Sequence, residues 1–164
     1  MDFFETIKKR NSVRQYSQKP IEENLLVKII DCGRLAPTAR NVQPWKFITV
    51  TDQKDLIWLG EIAPNGKFIK DAAAAIIVFC EDTKYYLEDG CAATENILLA
   101  AAALGLGACW VAGDKKDYSL EVCKYFGAPQ NYKLVSMISL GYPQSEPAGQ
   151  PKKALSEILH RGKL

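Results

Sequence analysis

Residues 74–113 decide the fold. They read AAIIVFC (74–80), EDTKY (81–85), YLEDGCAATENILLAAAALG (86–105) and LGACWVAG (106–113). The unbroken apolar run Ala74–Cys80 reads as a strand buried on both faces. The segment 86–105 is the longest helical stretch, and its middle, Ile97 to Leu104, is apolar all round. A helix of that kind lies in a core or a subunit interface. Gly105 and Gly107 end it, capping the helix and letting backbone approach a ligand. Ala108–Ala112 then reads as a second strand.

Working outward, residues 2–9 carry Phe3, Phe4 and Ile7 on one side and read as a short helix. Ser12–Ser17 alternates and reads as extended. A helix is expected at about 22–35, patterned by Leu25, Leu26, Ile29 and Ile30 and stopped by Pro37. Ala36–Pro44 is a loop, Trp45–Thr51 a strand, 53–61 a helix, and Pro64-Asn65-Gly66 a turn. Asp117–Phe126 reads as a helix and Lys133–Leu140 as a fourth strand. Gln144–Leu164 is a tail ending in a short amphipathic element, Leu155–Leu159. Helices and strands alternate, but two helices precede any strand, which favours α+β or mixed α/β over a doubly wound sheet.

The chain has 164 residues, enough for one domain with its own core. Hydrophobic residues at 48% and charged residues at 24% exclude disorder and coiled coil as the main state. A net charge of +2 gives no argument for nucleic acid. Cys32, Cys80, Cys91, Cys109 and Cys123 are odd in number and none has C-x-x-C spacing, which argues against zinc or a redox dithiol. No metal site is expected. The one histidine, His160, has no spaced partner for a triad or metal centre. No signal peptide or membrane span is expected, and reduced cysteines point to the cytoplasm.

Three motifs carry chemistry. In Arg10-Asn11-Ser12-Val13-Arg14, an extended backbone puts Arg10, Ser12 and Arg14 on one face, two guanidinium forks and a hydroxyl suited to a phosphate. In Ala36-Pro37-Thr38-Ala39-Arg40-Asn41-Val42-Gln43-Pro44-Trp45, small residues leave room for a flat ligand, and the amides of Asn41 and Gln43 offer both donor and acceptor. The third, Gly105-Leu106-Gly107-Ala108-Cys109-Trp110, is no dinucleotide fingerprint. It follows a helix and precedes a strand, and Trp110 stands where the third glycine belongs.

R-x-S-x-R, A-P-(S/T)-A-x-N-x-Q-P-W and a helix running into L-G-L-G-x-C-W, in that order, resemble the nitroreductase family of FMN-dependent oxidoreductases over roughly residues 2–160. The resemblance implies a three-layer α+β fold around a mixed, mostly antiparallel sheet, in a single domain over 1–164. It also implies a homodimer with FMN at the interface and the 144–164 tail on the partner subunit. Arg10 and Ser12 match phosphate-holding positions, with Asn11 between them. Arg14 matches a position reaching the ribityl chain and the flavin N1/O2 edge. Pro37, Thr38 and Ala39 match a loop laid on the partner's flavin, with Asn41 and Gln43 as polar contacts. Asn65 and Lys67 fall near the pyrimidine-edge region. Trp110, Val111, Ala112 and Gly113 match the segment beside the isoalloxazine, with Ala112 where many members carry Glu. Lys152 and Lys153 match basic tail positions reaching the phosphate. The implied activity moves two electrons from NADH or NADPH through flavin N5 to a small-molecule acceptor such as a nitroaromatic, quinone or enone, with no catalytic side chain identified. Reductive dehalogenation, flavin fragmentation, azoline oxidation and flavin binding without turnover are the alternatives. Family members often carry a lid after the second buried strand. Here only Glu81–Tyr85 occupy that place, which implies an open site.

Overall fold

The run Ala74–Cys80 lies at the centre of the molecule, as its composition requires. It forms the strand β2 (Ala74–Glu81), flanked by β1 (Trp45–Val50) and β4 (Tyr132–Gly141), and β3 (Gly107–Ala112) completes a sheet of order β1-β2-β4-β3. All three ladders are antiparallel, with Trp45 opposite Cys80, Ala74 opposite Leu140 and Gly107 opposite Gly141. The parallel component is a single bridge between Ser12 and Ala108 at the β3 edge. The computed structural model describes residues 2–163. Met1 and Leu164, the ends of the expected domain, lie outside them.

Successive residues of β2 point to opposite faces and divide the core in two. Ile76 and Val78 pack with Leu26, Ile29, Ile97 and Ala101. Ile77 and Phe79 pack with Leu56, Leu59, Val122 and Met137. The first set belongs to α2 (Glu23–Arg34) and α4 (Tyr86–Ala103), the second to α3 (Gln53–Ile62), α5 (Ser119–Tyr125) and, for Met137, β4, numbering helices from α1 (Phe3–Lys9). The result is the three-layer α+β arrangement expected.

The long helix ends as its glycine dictates. Gly105, at φ 76°, donates to the Ala102 carbonyl, and Leu106 N–H donates to Ala101. This is the paired closure of a Schellman motif, which needs a residue tolerant of left-handed backbone. The all-apolar stretch is only partly covered by this chain. Ile97, Leu98 and Ala101 are buried, whereas Leu99, Ala100 and Ala102 are half-buried and Ala103 is exposed.

Two short 3-10 turns are additional to the expected elements, Ala39–Asn41 within the loop 36–44 and Lys67–Asp71 directly after the turn 64–66. After β4 the chain runs back along the N-terminal stretch, with Ser17 N–H on the Tyr142 carbonyl at 2.9 Å and Gln144 N–H on Gln15 at 3.1 Å. Beyond it the tail is exposed, with one helical turn, α6 (Leu155–Ile158). Phe3, Phe4, Leu155 and Ile158 stand open on the chain's surface.

Candidate active site

The site begins where the N-terminal stretch meets β3. Val13 N–H donates to the Ala108 carbonyl at 3.0 Å, and Val13 is buried while Ser12 and Arg14 are exposed. The alternation expected for R-x-S-x-R is therefore present. Tyr16 pins the stretch from behind. Its hydroxyl donates to the Val13 carbonyl at 2.6 Å and lies 2.7 Å from Ser139 Oγ. Burial pushes the Tyr16 phenol well above its ordinary range, so it stays a neutral donor.

Alternate residues of a paired strand turn their N–H and C=O groups to opposite edges. Gly113 N–H donates inward to the Val135 carbonyl, whereas the Ala108 carbonyl turns outward to Val13. Trp110 and Ala112 accordingly address the outer edge, which pairs with no further strand beyond the Ser12 bridge among the described residues. The Tyr118 hydroxyl donates to the Ala112 carbonyl. Trp110 N–H and Ala112 N–H remain as outward-pointing donors, while the Gly113 amide is committed to the sheet.

Asn65 and Lys67 reach the same strand through the glycine between them. A Cβ on Gly66 would sit 2.9 Å from Ala63 Cβ and 3.1 Å from Val111 Cγ1, so glycine lets this turn close onto β3 without displacing either. The Arg14 guanidinium lies 5.6 Å from the ring centroid of Phe68, one residue beyond Lys67. Asn65, Lys116 and Tyr118 share a hollow of about 390 Å³. A second hollow, about 490 Å³, is lined by Arg10, Asn11, Leu98, Ala102, Gly107 and Gly149.

Cys109 lies under this cluster. Burial holds its thiol above the ordinary range, against the opposing pull of Arg14, the Ser12 hydroxyl and Arg10. Arg10 also lies 3.9 Å from Glu95 of α4, a surface ion pair of small energetic weight.

The loop Ala36–Gln43 sits elsewhere along α4. Ala39 N–H donates to Asp89 Oδ1 at 3.1 Å, in the first turn of that helix. Glu95, the Arg10 partner, is six residues on, about 9 Å further along the axis. Arg40, Asn41 and Gln43 have φ of 55°, 56° and 51°, left-handed backbone that non-glycine residues adopt at a cost. Gln43 Nε2 donates to Asn41 Oδ1 at 3.2 Å, so the two amides read as ligand contacts engage each other in the single chain. Pro37 is exposed, and Thr38 accepts from Gln43 N–H at 3.2 Å.

The structure thus gathers Arg10, Asn11, Ser12, Arg14, Asn65, Lys67 and Trp110–Gly113 around the β3 edge. Pro37–Gln43 stands apart at the start of α4. Lys152 and Lys153 lie on the exposed tail, beyond the point where Gly149 passes the Asn11 amide. Tyr118 and Asp89 are the side chains the sequence did not single out. Asp89 left one trace, the one carboxylate on the buried side of α4, a face otherwise made of small and apolar residues and Thr94. Among the described residues no helix is long and apolar enough to cross a membrane, and no His, Cys, Asp and Glu cluster could hold a metal.

Residues 7–86 and 65–142 match the model of the nitroreductase family. The chain belongs to the nitroreductase family. It is 37% identical over 153 residues to a protein of Methanothermobacter thermautotrophicus provisionally named an NADH dehydrogenase/NAD(P)H nitroreductase, covering 90% of this chain and 80% of that one. A crystal structure from Parabacteroides distasonis with the same provisional name superimposes with a TM-score of 0.92 at 34% identity, covering 98% of both chains. An FMN-dependent nitroreductase from Clostridium difficile superimposes with a TM-score of 0.91 at 28% identity, covering 97% of this chain and 98% of that one. This nitroreductase-family chain is therefore an oxidoreductase, and its helices and four-stranded antiparallel sheet are those of its relatives.

Proposed function

We propose that the chain is an NAD(P)H-dependent FMN oxidoreductase that reduces a small-molecule acceptor such as a nitroaromatic, quinone or enone. The observation that carries this reading is the convergence of Arg10, Ser12 and Arg14 on the free edge of β3, next to the unpaired N–H groups of Trp110 and Ala112. The Arg10 guanidinium and the Ser12 hydroxyl suit a phosphate of charge near −2, with Arg14 as a second cation further along the ligand. Two edge N–H groups suit the acceptor atoms of a flat heterocycle. The turn at Gly66 packs directly on buried Ala63, Val111 and Ile69, which brings Asn65 and Lys67 up to this edge.

When bound, the flavin supplies two-electron transfer between the nicotinamide and the acceptor. The chain's own residues bind and orient it. Arg10 and Ser12 hold the phosphate, with Asn11 between them and Lys152 and Lys153 adding charge from the tail. Arg14, beside Phe68, reaches the ribityl chain and the edge where negative charge gathers on reduction, and a cation there stabilises the reduced state. Asn65 and Lys67 meet the pyrimidine edge. Trp110, Val111, Ala112 and Gly113 form the wall beside the ring, chiefly through the Trp110 and Ala112 amides.

The functional unit in this reading is a homodimer in the cytoplasm. Pro37, Thr38, Ala39, Asn41 and Gln43 reach the flavin of the other copy, and the tail packs on that copy. The half-covered apolar side of α4 and the open Phe3, Phe4, Leu155 and Ile158 support an assembly larger than one chain. Anaerobic titration tests the activity. The purified protein should carry a yellow chromophore that NADH or NADPH bleaches and a nitroaromatic restores. Failure of both nucleotides to bleach the bound flavin overturns the assignment.

A further inference from the structure

We propose that Asp89 is a positioning residue for the loop Ala36–Gln43, acting through the Ala39 amide. The role rests on the reading of that loop as a flavin contact and deepens it.

Asp89 is only 5% exposed, in the first turn of α4, and its Oδ1 accepts from Ala39 N–H at 3.1 Å. Its Oδ2 is sealed from solvent and has no hydrogen-bond partner among the described residues. A buried carboxylate with one oxygen unsatisfied is unfavourable for stability, and an apolar side chain would pack there at lower cost. The fold keeps the carboxylate where its one recorded hydrogen bond goes to the loop.

The loop needs such an anchor. Arg40, Asn41 and Gln43 all hold left-handed backbone. The other hydrogen bonds of Thr38–Gln43 close on the loop itself, from Asn41 N–H and Val42 N–H to the carbonyls of Thr38 and Ala39, and from Gln43 to Thr38 and Asn41. The loop's ends are held by Ala36 N–H on the Gly33 carbonyl and Glu81 N–H on the Pro44 carbonyl, but the internal bonds do not tie its middle to the body of the chain. The Asp89 carboxylate supplies that tie, and negative charge in the first turn of a helix is favoured by the helix dipole. A loop set in place before its ligand arrives loses less freedom on binding. Asp89 thereby governs flavin affinity without touching flavin.

Residue-resolved hydrogen exchange and flavin titration test this on the purified full-length protein. The Ala39 amide should exchange about 10- to 100-fold slower than in a free peptide, as a hydrogen bond to a charged group dictates. Asp89→Ala should remove that protection and weaken FMN binding by about tenfold or more. Asp89→Asn keeps an oxygen acceptor without the charge and should restore both in part. Unprotected Ala39 in the wild type overturns the proposal, as does unchanged FMN affinity in Asp89→Ala or an Asp89→Asn as impaired as Asp89→Ala. If Asp89→Ala does not fold, wild-type exchange and Asp89→Asn decide the matter. A wild type that binds no flavin sinks the flavin reading alone and leaves the exchange result to judge the anchor.

Discussion

Ser12 and Ala108 form a parallel bridge that joins the N-terminal stretch Arg10–Arg14 to the sheet, with Val13 N–H on the Ala108 carbonyl at 3.0 Å. Close approach is possible because the residue before Ala108 is Gly107. A Cβ there would lie 2.7 Å from the Cβ and Cγ1 of Val13.

Gly107→Ala should therefore push residues 10–14 off the sheet edge. The expected cost is about 1–3 kcal/mol, typical of overpacking, read as a lower urea midpoint together with weakened FMN retention. A variant with wild-type stability and flavin content would show that the N-terminal stretch does not depend on this contact.

Arg10→Ala removes one guanidinium from the proposed phosphate end of the site. Its partner Glu95 is a half-exposed surface carboxylate, so thermal stability should hardly change. FMN affinity should fall about 10- to 100-fold, and the variant should shed flavin at low micromolar protein. Full retention on gel filtration contradicts the assignment.

Tyr118→Phe deletes the donor to the Ala112 carbonyl. The loss should be about 1 kcal/mol, or about 2–4 °C in Tm for a chain of this size. The visible spectrum of the bound flavin should shift, since Ala112 carries one of the two edge amides. An unchanged spectrum would place the ring away from Ala112.

The thiols give a pH test. Burial raises Cys80 to about 12 from 9.0, and it also raises Cys91, Cys109 and Cys123. Between pH 9 and 12 the unfolded chain has lost the Cys80 proton while the folded chain keeps it, so the folded state binds more protons and stability must fall as pH rises. Below pH 9 this contribution does not vary. Urea titrations at pH 8, 9.5 and 10.5 should show that order. Iodoacetamide at pH 8 should label the half-buried Cys32 first and Cys80 only on unfolding. Rapid labelling of Cys80 in the native protein would refute both its burial and its raised pKa.

The order of layers was legible because apolar patterning reports burial directly. Ala74–Cys80 had to lie at the centre, and Gly105 had to close the helix before it. R-N-S-V-R was legible for the same reason, since alternation in an extended segment fixes which side chains share a face. The 3-10 turn Ala39–Asn41 was not, because left-handed Arg40 and Asn41 contradict local preference, and the loop's tie to the rest of the chain, Ala39 N–H on Asp89, joins residues 50 apart. Tyr118 was hidden likewise. Its hydroxyl reaches back across the turn after β3 to a carbonyl, and a carbonyl has no sequence signature. The Gln43–Asn41 bond shows the limit of composition. Two amides suited to a ligand are equally suited to each other.

The outward half of β3 offers its neighbours main-chain groups, and main-chain groups do not change when residues are exchanged. Many replacements of the Trp110 or Ala112 side chains should leave those two donors in place. Adding or removing one residue between Gly107 and Ala112 would be far more damaging, because it would turn the outward amides inward and present the opposite set. Evolution of this surface is thus free in residue type and constrained in count.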